Sequence, residues 1–163
     1  MEYRERDRSI VVEGRVVTPS VRMFSQLVPV LRRPDMLKGD GVAYYMYRDL
    51  PPLEGSWARF DVTVIPPWRV GDELAKTKGH YHSSPAGKPP YPEIYQVHGG
   101  EALYLLQRSG RSPSEIMDFI AVRARPGDVV VIPPGYGHVT VNIGTSTLVM
   151  SNIIFRGSKS VSY

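Results

Sequence analysis

The chain has 163 residues, no cysteine, and 20 Lys and Arg against 16 Asp and Glu, for a formal net charge of +4. That length suits one domain with a real core, and the lack of cysteine excludes disulfides and thiolate metal sites. No apolar run approaches the roughly 20 residues of a membrane span, and no charged-then-apolar leader opens the chain. The basic residues are scattered among acids without the signature of a nucleic-acid module. The expectation is a cytoplasmic protein with no membrane or nucleic-acid partner, whose mild positive field suits an anionic small substrate.

Gly and Pro stand at 15 each, which favours turns and short strands over long helices. Short apolar pieces at 10–12 and 15–18 open the chain. Residues 20–31 read as a strand passing into a helical turn, cut short by Pro29 and Pro34. Residues 42–47 form an aromatic-rich strand, Pro51 and Pro52 mark a loop, and 60–65 alternates as a strand. From residue 70 the rhythm is regular. Strands are expected at 80–82, 93–97, 102–107, 119–123, 129–132, 139–143 and 148–155, separated by Gly/Pro turns. The turn at 98–100 reads as a hairpin between 93–97 and 102–107. Even spacing of short strands with almost no helix indicates a β-sandwich or barrel.

One constellation within this pattern carries chemistry. In an extended strand, His80 and His82 point the same way. With Glu93 on a neighbouring strand and His138 after the turn at 133–137, they make a three-His, one-Glu set of the kind that holds a divalent metal and leaves positions open for substrate. Tyr95 shares the face of Glu93, whereas His98 has the opposite parity and reads as an exposed turn histidine. Thr77 and Gly79 offer a hydroxyl and an unobstructed N–H to an anion. In a regular strand, however, Thr77 would face away from His80, while Lys78 shares the histidines' parity. Lys88, in the loop before Glu93, is a further cation within reach of an anion or simply a solvated side chain.

Gly79-His80-Tyr81-His82, followed by Glu93, Gly99 and Gly100, resembles the first cupin motif. Pro126-Gly127-Asp128, Pro133-Pro134-Gly135 and His138 resemble the second. More specifically, Thr77-Lys78-Gly79-His80-Tyr81-His82, Glu93-Ile94-Tyr95, Leu105-Leu106-Gln107 and the run from His138 to Gly144 resemble the cupin-type phosphoglucose isomerases of archaea and some bacteria. The match is dense over about 60–155. The resemblance implies an all-β single cupin barrel of jelly-roll type spanning 1–163, with N-terminal strands and an arm to residue 55 and a core barrel over 56–155. It implies one divalent ion (Fe, Ni, Mn or Zn) on His80, His82, Glu93 and His138. Glu93 would serve as ligand or as general base, with hydrogen passing between C1 and C2 either as a proton through a cis-enediol or as a metal-assisted hydride shift, and Tyr95 would orient substrate. Tyr44, Thr63, Thr77 and Gly79 would contact the sugar phosphate, and Tyr163 is the tail residue able to join them. The implied reaction is interconversion of glucose 6-phosphate and fructose 6-phosphate by a homodimer. Another sugar phosphate such as mannose 6-phosphate, an unphosphorylated acid handled through oxygen chemistry, or a non-catalytic sensor role would use the same fold.

Overall fold

A computed structural model describes residues 2–83, 90–112 and 114–162. Strands β1 (Glu2–Arg4), β2 (Ser9–Val12) and β3 (Arg15–Val17) form a small antiparallel sheet. Strand β4 (Ser20–Met23) leads into 3-10 turns at Phe24–Gln26 and Val28–Val30, and a third follows at Pro34–Met36. Prolines at these positions lack the N–H that a longer helix would need, so the expected strand-to-helix passage ends in single turns. Strands β5 (Val42–Tyr47) and β6 (Ala58–Ile65) follow, then a two-residue ribbon of β7 (Arg69–Val70) and β8 (Glu73–Leu74). The remaining strands are β9 (His80–His82), β10 (Glu93–Gly99), β11 (Ala102–Ser109), β12 (Ile116–Ala124), β13 (Val129–Ile132), β14 (Gly137–Asn142), β15 (Leu148–Phe155) and β16 (Ser160–Ser162).

Two antiparallel sheets face each other. One has the order β13-β10-β15-β6-β5-β4, and the other β12-β11-β14-β9-β16. Strands consecutive in sequence thus repeatedly fall in different sheets, as in a jelly roll. Among the described residues, hydrogen bonds do not join the two sheets into a closed cylinder, so the expected barrel is built as a two-layered sandwich.

The expected hairpin at 98–100 is a sheet change instead. β10 pairs with β13 and β15, whereas β11 pairs with β12 and β14. Gly100, at φ 77°, makes the corner, and a Cβ there would lie 2.7 Å from the Thr147 carbonyl oxygen. A Gly-Gly turn between two alternating runs marks a reversal, and it carries no information about which sheet receives the second run.

Period-two burial places the core. On β10, Glu93, Tyr95 and Val97 are buried while Ile94, Gln96 and His98 are exposed. The main cluster lies between the sheets and includes Ile65, Val97, Tyr104, Leu106, Leu148 and Met150. Each fully buried Leu or Ile contributes about 1.5–3 kcal/mol. A second cluster of Ile10, Tyr47, Val62, Val64 and Val149 forms on the other face of β6. The N-terminal sheet contributes Ile10 to it, and the Tyr47 hydroxyl donates to the Arg8 carbonyl.

Candidate metal centre

Three strands from both sheets bring the site together. In the five-stranded sheet, β9 and β14 pair so that His80 lies directly opposite His138. His82 follows His80 on the same face, and the ring centroids of His80 lie 4.9 Å from His82 and 4.6 Å from His138. Glu93 enters from β10 in the facing sheet. Its Oε2 lies 2.7 Å from His82 Nε2 and 3.3 Å from His138 Nε2. His138 and Glu93 are only 1% and 3% exposed.

Burial sets the protonation states. Desolvation pushes His138 down to about 3 and lowers His80 as well, although the Glu93 charge opposes both shifts. For Glu93, burial acts upward, but its hydrogen bond with His82 and the fields of His138, His82 and His80 leave it below the usual carboxylate range. At neutral pH, His80 and His138 are therefore neutral and Glu93 is ionised, which are the forms that ligate metal.

The donors fit an ion. One ligand atom from each of His80, His82, Glu93 and His138 lies within 4.8 Å of all the others. Donors about 2.1 Å from one ion can be at most about 4.2 Å apart, so small side-chain shifts would close the set. His80 turns Nδ1 toward the Lys78 carbonyl at 3.4 Å, the outer contact that fixes a ligating imidazole. The other Glu93 oxygen, Oε1, accepts from Asn152 Nδ2 at 2.7 Å, which leaves Oε2 toward the histidines. The set of three imidazoles and one carboxylate suits Fe, Ni, Mn or Zn(II) alike.

The other sequence-derived candidates lie around the same space. A cavity is lined by Tyr44, Thr63, Thr77, Gly79 and Tyr95 together with His80, His82 and Glu93. The Tyr95 hydroxyl lies 3.2 Å from His138 Nε2, and burial, then the Glu93 charge, hold it protonated well above the ordinary range. Strand parity would turn Thr77 away, but β9 begins only at His80 and the approach to it is irregular. Thr77 N donates to the Thr140 carbonyl at 2.9 Å, and Thr77 Oγ1 accepts from Thr140 N at 3.0 Å. That leaves the Thr77 O–H free to donate. The Tyr44 hydroxyl accepts from Lys78 N and Arg22 Nε, both at 3.3 Å, so its own proton is also available. Lys78 lines the cavity too. His98 stands apart, exposed on the outer face with Nε2 2.7 Å from Ser151 Oγ. Lys88 and Tyr163 lie outside the described residues.

Sequence reasoning missed Asn152, Arg22, Arg48, Arg59 and the buried Asp61. The available signal was parity: Arg59 and Asp61 share the face of Thr63 on β6. Two motif segments are structural. Asn142 Nδ2 donates to the Ile65 and Ser146 carbonyls at 2.9 Å, and Pro126-Gly127-Asp128 closes a turn in which Asp128 Oδ2 accepts from Arg125 N at 2.8 Å.

The fold and donor set define a cupin whose clustered histidines and glutamate can hold a metal ion. Solved structures agree on the fold. Oxalate decarboxylase from Bacillus subtilis at pH 4.6 aligns with TM-score 0.54 and 20% identity over 74% of this chain and 28% of its own. Peruvianin-I, a cysteine peptidase from Thevetia peruviana latex, aligns with TM-score 0.53 and 20% identity over 74% of this chain and 68% of its own. The family is more specific. A family model described as glucose-6-phosphate isomerase (GPI) matches residues 21–163, and the chain belongs to that family. It is 35% identical to the glucose-6-phosphate isomerase of Thermococcus kodakarensis, over 71% of this chain and 56% of the relative. With the putative glucose-6-phosphate isomerase 2 of Rhizobium meliloti it shares 34% identity, over 70% of this chain and 52% of the relative. The corresponding figures for the enzyme of Pyrococcus furiosus are 36%, 66% and 51%. The chain thus spans about half the length of the curated relatives it matches.

Proposed function

We propose that this chain is a metal-dependent isomerase that interconverts glucose 6-phosphate and fructose 6-phosphate, with His80, His82, Glu93 and His138 as ligands of one divalent ion. The observation that carries the reading is the convergence of those four side chains from strands of both sheets, three of them, His80, His82 and Glu93, on the wall of a cavity ringed by hydroxyl donors. The ion, when bound, supplies Lewis acidity at the C1 and C2 oxygens of the sugar. Glu93, ionised and held by Asn152 through Oε1, is the base that carries a proton between C1 and C2. Tyr95 keeps its phenolic proton and orients the reacting oxygens. Tyr44, Thr63, Thr77 and the Gly79 N–H donate to the phosphate.

The same reading takes residues 1–163 as one domain. It places the protein in the cytoplasm, where sugar phosphates are handled; among the described residues no helix is long and apolar enough to cross a membrane. A homodimer is supported by exposed Ile116, Met117, Phe119 and Ile120 on the edge strand β12, a surface of the kind that copies of a chain cover.

The test is conversion of fructose 6-phosphate to glucose 6-phosphate, read through a coupled dehydrogenase, as purified, after chelation, and after return of Fe(II), Ni(II), Mn(II) or Zn(II). Activity should vanish on chelation and return with metal. A folded protein that binds metal at these residues yet turns over nothing would discard the isomerase assignment.

A further inference from the structure

The cavity wall facing the histidine strand is charged, and the ligand set does not account for it. Arg59, Asp61 and Thr63 alternate onto the inner face of β6, and Arg48 follows β5 beside them. Asp61 pairs in register with Asn152, and Asn152 with Tyr95, so this polar row runs directly into the metal centre. Asp61 is fully buried. Its Oδ2 accepts from Arg48 Nη1 at 2.7 Å and Arg59 Nε at 2.8 Å, and its Oδ1 accepts from Arg59 Nε and Asp49 N, both at 2.9 Å.

Two guanidiniums on one carboxylate leave an unbalanced positive charge. The nearby Asp49 side chain does not cancel it, because two 2.6 Å contacts tie it to Arg156. Arg48 and Arg59 both line the cavity with His80, His82 and Glu93. No hydrogen bond joins Arg59 Nη1 or Nη2 to another described residue, and Arg48 Nη2 meets only the weak acceptor Met46 Sδ. Asp61 is buried, whereas the Arg48 and Arg59 side chains stay 43% and 27% exposed, so their outer N–H groups are open to a ligand from the cavity. A planar fork with free N–H groups is well matched to phosphate oxygens.

We propose that Arg48 and Arg59, fixed by Asp61, form an anion subsite that takes the phosphate group of a phosphorylated sugar. This rests on the sugar-phosphate reading of the cavity and adds to it. Tyr44, Thr63 and Thr77 are neutral donors that give direction, whereas the arginines supply the charge that separates a sugar phosphate from a free sugar.

The experiment begins with the unsubstituted, metal-replete protein. Arginine modification by phenylglyoxal is mapped by peptide mass, with and without inorganic phosphate or fructose 6-phosphate. Both anions should shield Arg48 and Arg59. Calorimetry then compares phosphate binding in Arg59→Lys and Arg48→Lys, which keep a cation beside Asp61 and so protect the fold. Each should bind phosphate about tenfold more weakly, the scale of one lost charge-assisted hydrogen bond. No phosphate binding, either arginine left unshielded, or unchanged affinity in both variants would overturn the subsite. The isomerase reading fails separately: shielding without turnover keeps the subsite and removes the isomerase, and turnover with unshielded arginines does the reverse.

Discussion

The space between the two sheets has two unlike ends built on the same strands. Along β6 the inward series runs Arg59, Asp61, Thr63, Ile65, and along β10 it runs Glu93, Tyr95, Val97. On β15, Asn152 gives way to Met150 and then Leu148, which pairs with Ile65. One end is thus filled by apolar side chains that gain from leaving water. The other holds a buried carboxylate, neutral histidines and a paired Asp61, groups that cost free energy to desolvate. The comparison teaches that the strands' alternation supplies the layers, and that the step from apolar to polar along each strand assigns stability to one end and chemistry to the other.

Substitutions should separate the two ends. At the polar end, Glu93→Gln removes the charge of the proposed ligand and the proposed base; kcat should fall by about 10²–10⁴-fold with the thermal midpoint little changed. A variant retaining a third of wild-type kcat would remove Glu93 from the chemistry. At the apolar end, Leu148→Ala should cost about 2–5 kcal/mol in denaturant unfolding, while kcat per folded molecule holds. A fall in kcat without loss of stability would erase the division between the ends. At the boundary, Asn152→Ala strips Glu93 Oε1 of its donor. Metal affinity should weaken by about 10–100-fold and stability by about 1–3 kcal/mol, and unchanged affinity in a dialysis titration would dismiss Asn152 as a positioning residue.

The smallest effect is on pH dependence, in the metal-free protein. Burial depresses His138 to about 3 from 6.5 and lowers His80 in the same direction. Between those limits the unfolded chain binds protons that the folded one excludes, so stability falls as pH drops below 6.5. Glu93, also lowered, adds to the loss as pH falls below 4.5 toward its folded value. Urea midpoints of chelated protein should therefore decline between pH 7 and pH 5, and more shallowly in His138→Gln. A flat profile over that range would contradict the buried, neutral histidines.

Much of this was readable from local pattern. Strands at 42–47, 80–82, 129–132 and 148–155 have the bounds that alternation and Gly/Pro turns indicate. The ligand candidates announced themselves because two histidines at i and i+2 share a face by geometry alone. What stayed hidden depends on register between distant strands. Arg59 and Asp61 share the face of Thr63 by parity, but their link to the site appears only when β15 lays Asn152 opposite Asp61. Asn152 gives no hint of Glu93, which lies 59 positions away. The sheet change at Gly100 escaped for the same reason, since a turn fixes the local path and the partner strands are chosen by packing. Thr77 was turned outward by parity, and the irregular approach to β9 brings it back to the cavity.

The most direct measurement is a titration of the chelated protein with a single activating metal, following turnover of fructose 6-phosphate against equivalents added. Activity should rise linearly and break at one ion per chain, and His138→Ala should show neither the rise nor the break. Turnover that is full before metal is added, or that His138→Ala retains at one equivalent, would contradict a metal-dependent isomerase centred on these four residues.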